Sequence, residues 1–193
     1  MQRITTKRIF FVTGEPGCGK STFLAALIQK FNLQLSGFIT KKEAAPSEVA
    51  VYIHPLFDGT ARYRYTTGNR VGICSPPKPA GFAPVFDACG VMCLKQAETA
   101  LQQSVLPVIF MDELGVMEAE AERFCLAVCA LFSNPRYFII GAVKPRGTRF
   151  LPVLERMPEA AVFHLTLQNR AELYAQLERA QNFAAFLHTV GTK

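Results

Sequence analysis

The chain has 193 residues, half of them hydrophobic and 19% of them charged. This length fits one ordinary domain, and the apolar content supplies a buried core and excludes an intrinsically disordered chain. Lysine plus arginine is 21 and aspartate plus glutamate is 15, so the net charge is +6, which favours anionic ligands. Because no basic run exceeds two residues and no RNA-binding aromatic motif is present, the composition argues against a nucleic-acid partner.

The sequence predicts a cytoplasmic protein with no membrane partner. No apolar run approaches the length of a transmembrane helix, and the apolar stretch near the amino terminus, Ile9–Val12, is too short for a signal peptide. Cysteines without a CxxC pair predict free thiols. Cys89 with Cys93 and Cys125 with Cys129 are each four residues apart, so buried thiols on helix faces and a four-thiolate zinc site both fit.

In the first half of the chain, the predicted elements alternate between strands and helices. We predict a strand over 7–13, a helix over 20–31, a short strand over 37–40, and antiparallel hairpins over 49–73, where DG and GN turns separate three β-type runs. The proline-rich segment 74–84 is predicted to be an irregular loop, and 85–104 to be mostly helical.

In the second half we predict strands over 105–111, 136–143 and 161–165, with helices over 118–132, 148–156 and 169–188. Strands that alternate with helices indicate an α/β fold with a mostly parallel sheet and helices on both faces, a three-layer sandwich. Residues 1–193 are thus interpreted as one domain with a β-hairpin insertion at about 45–75.

Residues 14–22, GEPGCGKST, fit the phosphate-loop pattern G-x-x-x-x-G-K-[ST]. Glycines let successive backbone N–H groups turn towards a phosphate, and the helix start adds its unpaired N–H groups and positive dipole end. We expect Lys20 to reach the β- and γ-phosphates, Ser21 to bind Mg²⁺ and Thr22 to contact the α-phosphate. A chance match is the alternative, and the predicted strand–loop–helix context argues against it. The other candidate nucleotide-binding residues are Gly14, Glu15, Pro16, Gly17, Cys18 and Gly19.

The strand predicted over 105–111 runs into two carboxylates, Asp112 and Glu113. If it is parallel to the first strand, both carboxylates reach the sheet edge where ligands bind. Asp112 then fits a residue that holds Mg²⁺ through water, and Glu113 fits a residue that orients the attacking water. A solvated turn or a helix N-cap would also explain the pair. A glutamate directly after the aspartate favours the P-loop division with one further strand between the phosphate-loop strand and this one.

Several residues later in the chain are further candidates. Lys144, Arg146 and Arg149 follow a predicted strand at the same edge, and we select Arg146 as a catalytic, phosphate-facing residue, with a solvated basic loop as the alternative. Asn169 fits a helix N-cap, whereas Arg170 opposes the helix dipole, so we predict that Arg170 contacts the base or ribose of a nucleotide.

Five blocks together resemble one known family: VTGEPGCGKST (12–22), SGFIT (36–40), VIFMDELGVME (108–118), FIIGAVK (138–144) and VFHLTLQNR (162–170). The set is similar to the small P-loop nucleoside-triphosphatases of the cancer-related nucleoside-triphosphatase type, and it spans about four-fifths of the chain. The phosphate loop alone is shared by many families. The acidic block and the late Asn-Arg pair make the resemblance specific.

The resemblance implies a RecA-like P-loop fold and slow Mg²⁺-dependent hydrolysis of ATP, GTP and other nucleoside triphosphates. It implies phosphate contacts for the loop residues, Mg²⁺ and water roles for Asp112 and Glu113, and positions near the base or ribose for Asn169 and Arg170. One departure is Val116, where the family usually has lysine. A kinase that transfers the γ-phosphoryl group to a small acceptor, with a pocket under the 74–84 loop, and a slow nucleotide-dependent switch with an unknown protein partner are the alternative functions.

Overall fold

A nine-stranded mixed sheet forms the middle layer of the protein, within the residues that the computed structural model describes, 7–46, 48–57, 59–74 and 79–190. Its order is β6-β5-β3-β2-β7-β8-β1-β9, with β4 paired to β3. The strands are β1 Ile9–Thr13, β2 Leu35–Ala45, β3 Glu48–Phe57, β4 Thr60–Ala61, β5 Arg70–Ile73, β6 Ala80–Gly81, β7 Val108–Leu114, β8 Phe138–Val143 and β9 Ala160–His164.

Helices cover both faces of the sheet, which confirms the predicted three-layer α/β sandwich. One core holds Phe11 and Phe124 under α3, α4 and α5, and the other holds Phe10 and Phe186 under α1, α6 and α7. Within the described ranges, no helix is both long and apolar enough to cross a membrane. The helices are α1 Lys20–Lys30, α2 Ala83–Val85, α3 Val91–Ala100, α4 Glu122–Ser133, α5 Leu151–Arg156, α6 Arg170–Arg179 and α7 Phe183–Val190, and a π-helical turn, Phe86–Gly90, joins α2 to α3.

The five strands β2, β7, β8, β1 and β9 pair in parallel, so their carboxyl ends lie at one edge of the sheet. Residues Ile9–Thr13 are all buried, because helices cover both faces of a parallel sheet and a continuous apolar run fits that environment. Strand β8 lies between β1 and β7. The further strand predicted between the phosphate-loop strand and the acidic strand is therefore present.

Antiparallel strands extend the sheet beyond β2. The β2–β3 hairpin pairs from Gly37 with Leu56 to Ala45 with Glu48, so strand β2 is longer than the predicted 37–40. The prediction of a strand over the alternating run 61–65 is wrong beyond Ala61. There the backbone N–H of Arg64 donates to His54 Nδ1 at 3.3 Å, and the rings of two tyrosines, Tyr63 and Tyr65, stand edge-on to His54, so contacts to the imidazole replace strand pairing.

Three further element boundaries differ from the prediction. In segment 74–84, residues 75–78 lie outside the described residues, whereas 80–81 form β6 and 83–85 form α2. The helix predicted to begin at residue 118 begins at Glu122. The final helix, predicted as one, is two, α6 and α7. The side chain of Asn182 between them accepts a hydrogen bond from the N–H of Ala185 at 2.9 Å, as an N-cap residue does.

The two outermost strands of the sheet are short. Strand β9 has five residues and β6 has two. Lys7 precedes β1, and its Nζ donates to the carbonyl oxygen of Ala160 in β9 at 2.7 Å.

Candidate active site

The loop from Gly14 to Gly19 connects β1 to α1 at the carboxyl edge of the parallel strands. Gly14, Gly17 and Gly19 have φ angles of 149°, 82° and 104°, which side chains with a Cβ rarely adopt. A Cβ at Gly14 would also lie 2.2 Å from the carbonyl oxygen of Leu165, in the loop after β9. The glycine positions of the phosphate-loop pattern are therefore required by the backbone that the loop adopts.

Lys20, the first residue of α1, folds back over the loop. Its Nζ donates to the carbonyl oxygens of Gly14 at 2.8 Å and Glu15 at 3.2 Å, so the ammonium group lies within the curve of the backbone. Ser21 and Thr22 are exposed in the first turn, and this turn contains no acidic residue. The backbone N–H groups in the first turn of α1, together with the ammonium of Lys20 beside them, are chemically suited to bind an anion.

Asp112 lies near the carboxyl end of β7, where the pairing with β8 is irregular. Met111 pairs with Gly141 and Glu113 pairs with Ala142, so Asp112 is the extra residue of a β-bulge, a feature that redirects side chains. Its Oδ2 accepts hydrogen bonds from both the backbone N–H and the hydroxyl of Thr40, each at 2.9 Å. The carboxylate is thus fixed by β2.

Thr40 is a residue that the sequence interpretation did not assign to the site. Strand β2 pairs in parallel with β7, and the two pair as far as Phe38 with Met111. Thr40 therefore reaches the same edge as Asp112, although 72 residues separate them in sequence. The signal was available, because the predicted second strand ends at Thr40 and a polar residue at such an end faces the ligand edge.

Oxygen ligands suitable for Mg²⁺ are present on both sides of this edge. Strands β1 and β7 are separated by β8, and two strand spacings give about 10 Å between their axes. The Ser21 hydroxyl in the first turn of α1, on the β1 side, and the Asp112 carboxylate of β7 are the oxygen donors on the two sides. Hydroxyl, carboxylate and water oxygens are the ligands that Mg²⁺ prefers.

Glu113, the second carboxylate, faces a lysine after β8. Its Oε2 lies 3.9 Å from Lys144 Nζ, and both side chains are about one-third exposed. These two residues line a cavity of about 50 Å³ together with Thr40 and Glu118. That volume has room for one or two water molecules, given about 30 Å³ for each in the liquid.

Glu118 is buried beside this cavity, with 3% of its surface exposed. Its Oε1 accepts a hydrogen bond from the backbone N–H of Gly115, which closes a turn before α4 and explains the late start of that helix. Burial raises the pKa of Glu118 above the usual glutamate value, while the Gly115 N–H and the charge of Lys144 act in the opposite direction.

The three cations after β8 point to different partners. Arg146 reaches the phosphate loop, where its Nη2 lies 3.4 Å from Glu15 Oε1, and both side chains are exposed. Arg149 instead donates to the carbonyl oxygen of Ala119 at 2.8 Å. Of the two arginines, the structure brings only Arg146 to the loop.

The loop after β9 lies against the phosphate loop. Its Leu165 N–H donates to the carbonyl oxygen of Thr13 at 2.7 Å. Asn169 is at the N-cap position of α6, but its side chain does not cap the helix. Instead its Oδ1 accepts from Thr166 N–H and its Nδ2 donates to the His164 carbonyl, both at 2.8 Å. Arg170 is exposed at the start of α6, and its predicted contact with a base or ribose stays a prediction.

The cysteine pairs do not form the four-thiolate site that their spacing allowed. All six cysteines are free, and within the described residues no group of three or more histidine, cysteine, aspartate or glutamate side chains is arranged to hold a metal. A hydrogen bond with Cys93 lowers the pKa of Cys89, and the same bond, together with burial, raises the pKa of Cys93. Burial raises the pKa of both Cys125 and Cys129.

Comparison with known proteins gives a consistent result. A sequence model of a family described as NTPase matches residues 9–177. The chain is 24% identical over 164 residues to the nucleoside-triphosphatase THEP1 of Aquifex aeolicus, covering 82% of this chain and 90% of that protein. It is 26% identical over 186 residues to the human cancer-related nucleoside-triphosphatase, covering 86% and 92%.

Two solved structures share the fold. The crystal structure of THEP1 from Aquifex aeolicus superposes with a TM-score of 0.62 at 21% identity, over 89% of this chain and 99% of that one. The solution structure of the human cancer-related nucleoside triphosphatase superposes with a TM-score of 0.57 at 22% identity, over 92% of this chain and 100% of that one. The resemblance drawn from the five sequence blocks is therefore confirmed, as is the P-loop α/β fold.

Proposed function

Because this chain belongs to the NTPase family, we propose that it hydrolyses nucleoside 5′-triphosphates, ATP and GTP among them, to the diphosphate and inorganic phosphate in a Mg²⁺-dependent reaction. The observation that carries the proposal is the common edge on which the phosphate loop, Asp112 and Glu113 meet beside a water-sized cavity. A loop that cradles phosphates needs a group to orient water before it can support hydrolysis.

In the proposed reaction, different residues bind the phosphates and the metal ion. The N–H groups of the loop and the ammonium of Lys20 bind the β- and γ-phosphates, exchanging the bonds that Lys20 makes to Gly14 and Glu15. Ser21 and Asp112 hold Mg²⁺, which supplies charge neutralisation on the phosphate oxygens when bound. Asp112 is already oriented by Thr40.

Glu113 accepts a hydrogen bond from the attacking water and directs its oxygen in line at the γ-phosphorus. The water oxygen forms a bond to that phosphorus while the bond to the β–γ bridging oxygen breaks, and the diphosphate leaves with the electron pair. The proton that the water loses passes to Glu113 and from there to the solvent or a phosphate oxygen. Arg146 lies beside Glu15 of the loop, from which its guanidinium can turn to the developing charge on the γ-phosphoryl oxygens.

The small cavity favours water over a larger acceptor. The alternative reaction is transfer of the γ-phosphoryl group to a small acceptor bound under the 74–84 loop. Among the described residues, the cavity that Cys74 and Phe86 share with Glu113 has a volume of about 50 Å³, well below the roughly 300 Å³ or more that is typical of small-molecule sites. Hydrolysis is therefore the better-supported reaction.

We further propose that the enzyme works in the cytoplasm with nucleoside triphosphate as its small-molecule partner. The support comes from the sequence, whose six cysteines include no CxxC pair, a pattern that fits a reducing compartment.

The test is phosphate release from ATP, GTP, CTP and UTP, with Mg²⁺ and with EDTA, by the wild type and by Lys20→Ala, Glu113→Gln and Arg146→Ala. We expect Lys20→Ala and Glu113→Gln each to lower kcat by about a hundredfold or more, with nucleotide binding kept in Glu113→Gln. Arg146→Ala should lower kcat without weakening binding comparably. Tight binding without phosphate release by the wild type, or diphosphate formed only when an acceptor is added, would overturn the proposal.

A further inference from the structure

Lys144 occupies the position between the phosphate loop and the acidic pair. It directly follows β8, the strand between β1 and β7, and its backbone N–H donates to the carbonyl oxygen of Leu114 at 2.8 Å. The start of its side chain is thereby tied to the end of β7. From there the ammonium extends to within 3.9 Å of Glu113 Oε2.

The path of the Lys144 side chain is defined by a glycine. A Cβ added at Gly115 would lie 3.1 Å from Lys144 Cδ, 3.3 Å from Cε and 3.5 Å from Cγ. The aliphatic stem therefore runs directly over the bare Cα of Gly115. Any larger residue at position 115 would crowd the stem and shift the ammonium relative to Glu113.

The contact of Lys144 with Glu113 distinguishes it from the other cations after β8. Arg146 pairs with Glu15 and Arg149 bonds to the Ala119 carbonyl, so within the described residues neither arginine is paired with Glu113. Lys144 also acts on the buried Glu118, whose pKa it lowers against the stronger effect of burial. Two carboxylates, Glu113 and Glu118, thus line the same cavity of about 50 Å³ as Lys144, and Lys42 of β2 lines it as well.

We infer that Lys144 is a positioning residue for hydrolysis, whose ammonium fixes the Glu113 carboxylate at the rim of the water-sized cavity and offsets the negative charge that accumulates there. This inference rests on the proposed function, because it assumes that Glu113 orients the attacking water. A carboxylate that faces a triphosphate is repelled by it, and a partly buried cation paired with that carboxylate opposes its displacement.

The experiment compares steady-state ATP hydrolysis by the wild type, Lys144→Met and Lys144→Arg. Met keeps the length of the stem and removes the charge. We expect Lys144→Met to lower kcat by about tenfold to a hundredfold, with the KM for ATP changed by less than about threefold. Lys144→Arg should recover most of kcat. The matched control, Arg149→Met, removes a positive charge from the same loop and should leave kcat unchanged.

A double-mutant cycle separates action through Glu113 from direct contact with the phosphates. In single-turnover experiments with excess enzyme, Lys144→Met should reduce the rate by less than about threefold when Glu113 is already Gln, because the group it positions is gone. An equal loss in both backgrounds would overturn the inference, as would an unchanged kcat in Lys144→Met alone.

Gly115→Ala provides a variant that keeps every charge. The added methyl group crowds the Lys144 stem and should lower kcat by several-fold, whereas a similar Gly59→Ala substitution far from the site should not. Circular dichroism at the assay temperature checks that both variants are folded. If the wild type hydrolyses ATP and Lys144→Met keeps the full kcat, only the role of Lys144 is contradicted. If the wild type does not hydrolyse ATP, the proposed function itself is contradicted.

Discussion

The parallel and antiparallel parts of the sheet carry different kinds of side chain at their ends. The parallel strands β2, β7, β8, β1 and β9 all end at one edge, where the phosphate loop, Asp112 and Glu113 meet. In the antiparallel part, neighbouring strands end at opposite edges, and the tyrosine rings there pack on buried His54. Parallel pairing therefore brings functional side chains from distant parts of the sequence to one edge, whereas the antiparallel strands extend the sheet beside it.

Backbones approach each other closely where strands pair, in both parts of the sheet, but not at the turn before β4. At the β2–β7 pairing, a Cβ on Gly37 would lie 1.9 Å from the carbonyl oxygen of Phe110. At the tip of the antiparallel part, a Cβ on Gly59 would meet no atom within 4 Å, although its φ of 71° is strained for other residues. A Cβ on Gly72, in the antiparallel part, would likewise lie 2.4 Å from the carbonyl oxygen of Ala80. Paired strands therefore leave no room for a side chain at these glycines, whereas the turn requires only a positive φ.

Matched alanine substitutions test this difference most strongly. Gly37→Ala should lower the free energy of unfolding by about 3 kcal/mol, because backbone must move to admit the methyl group. Gly59→Ala should cost about 1 kcal/mol, from its positive φ alone. Urea denaturation followed by circular dichroism measures both. Equal losses would remove the contrast between the strand pairing and the turn.

Thr40 sharpens the comparison, since β2 is the strand that the two parts share. Thr40→Val removes the hydroxyl bond to Asp112 Oδ2 and keeps the bond from the backbone N–H. We expect the Mg²⁺ concentration for half-maximal hydrolysis to rise about tenfold, because the ligand is held less firmly, while thermal stability changes little. The control is Thr99→Val on α3, whose hydroxyl bonds to the Lys95 carbonyl. A similar shift in the control, or none in Thr40→Val, would count against an oriented Asp112.

The smallest expected effect concerns Glu118 and pH. Folding raises the pKa of Glu118, chiefly through burial, so its contribution to stability is present below the usual glutamate pKa and is lost as pH rises through the raised value. Glu118→Gln keeps an oxygen for the Gly115 N–H and cannot ionise. We expect the variant to gain stability relative to the wild type as pH rises from 4 to 7. Urea midpoints at several pH values measure this, and parallel profiles for the two proteins would contradict it.

The parallel part could be predicted from the sequence because its strands are continuous apolar runs that are followed by recognisable functional residues. IFFV before the phosphate loop and VIFM before Asp112 determine both the buried strands and the edge that they share. The bond between Thr40 and Asp112 depends on the pairing of β2 with β7, which no local pattern contains. The run 61–65 alternates like a strand, yet contacts of its residues with His54 decide its conformation.

The two short outer strands have a consequence for how the protein behaves at high concentration. A sheet with open sides offers unpaired N–H and carbonyl groups to any extended chain that approaches, including a second copy of itself. Here one side ends in a strand of two residues, and on the other the ammonium of Lys7 occupies the Ala160 carbonyl. An incoming strand would have to displace a charged group from one side and would find few groups to pair with on the other. Within the described residues, the short strand β6 and the Lys7–Ala160 bond thus both work against edge-to-edge association of the sheet.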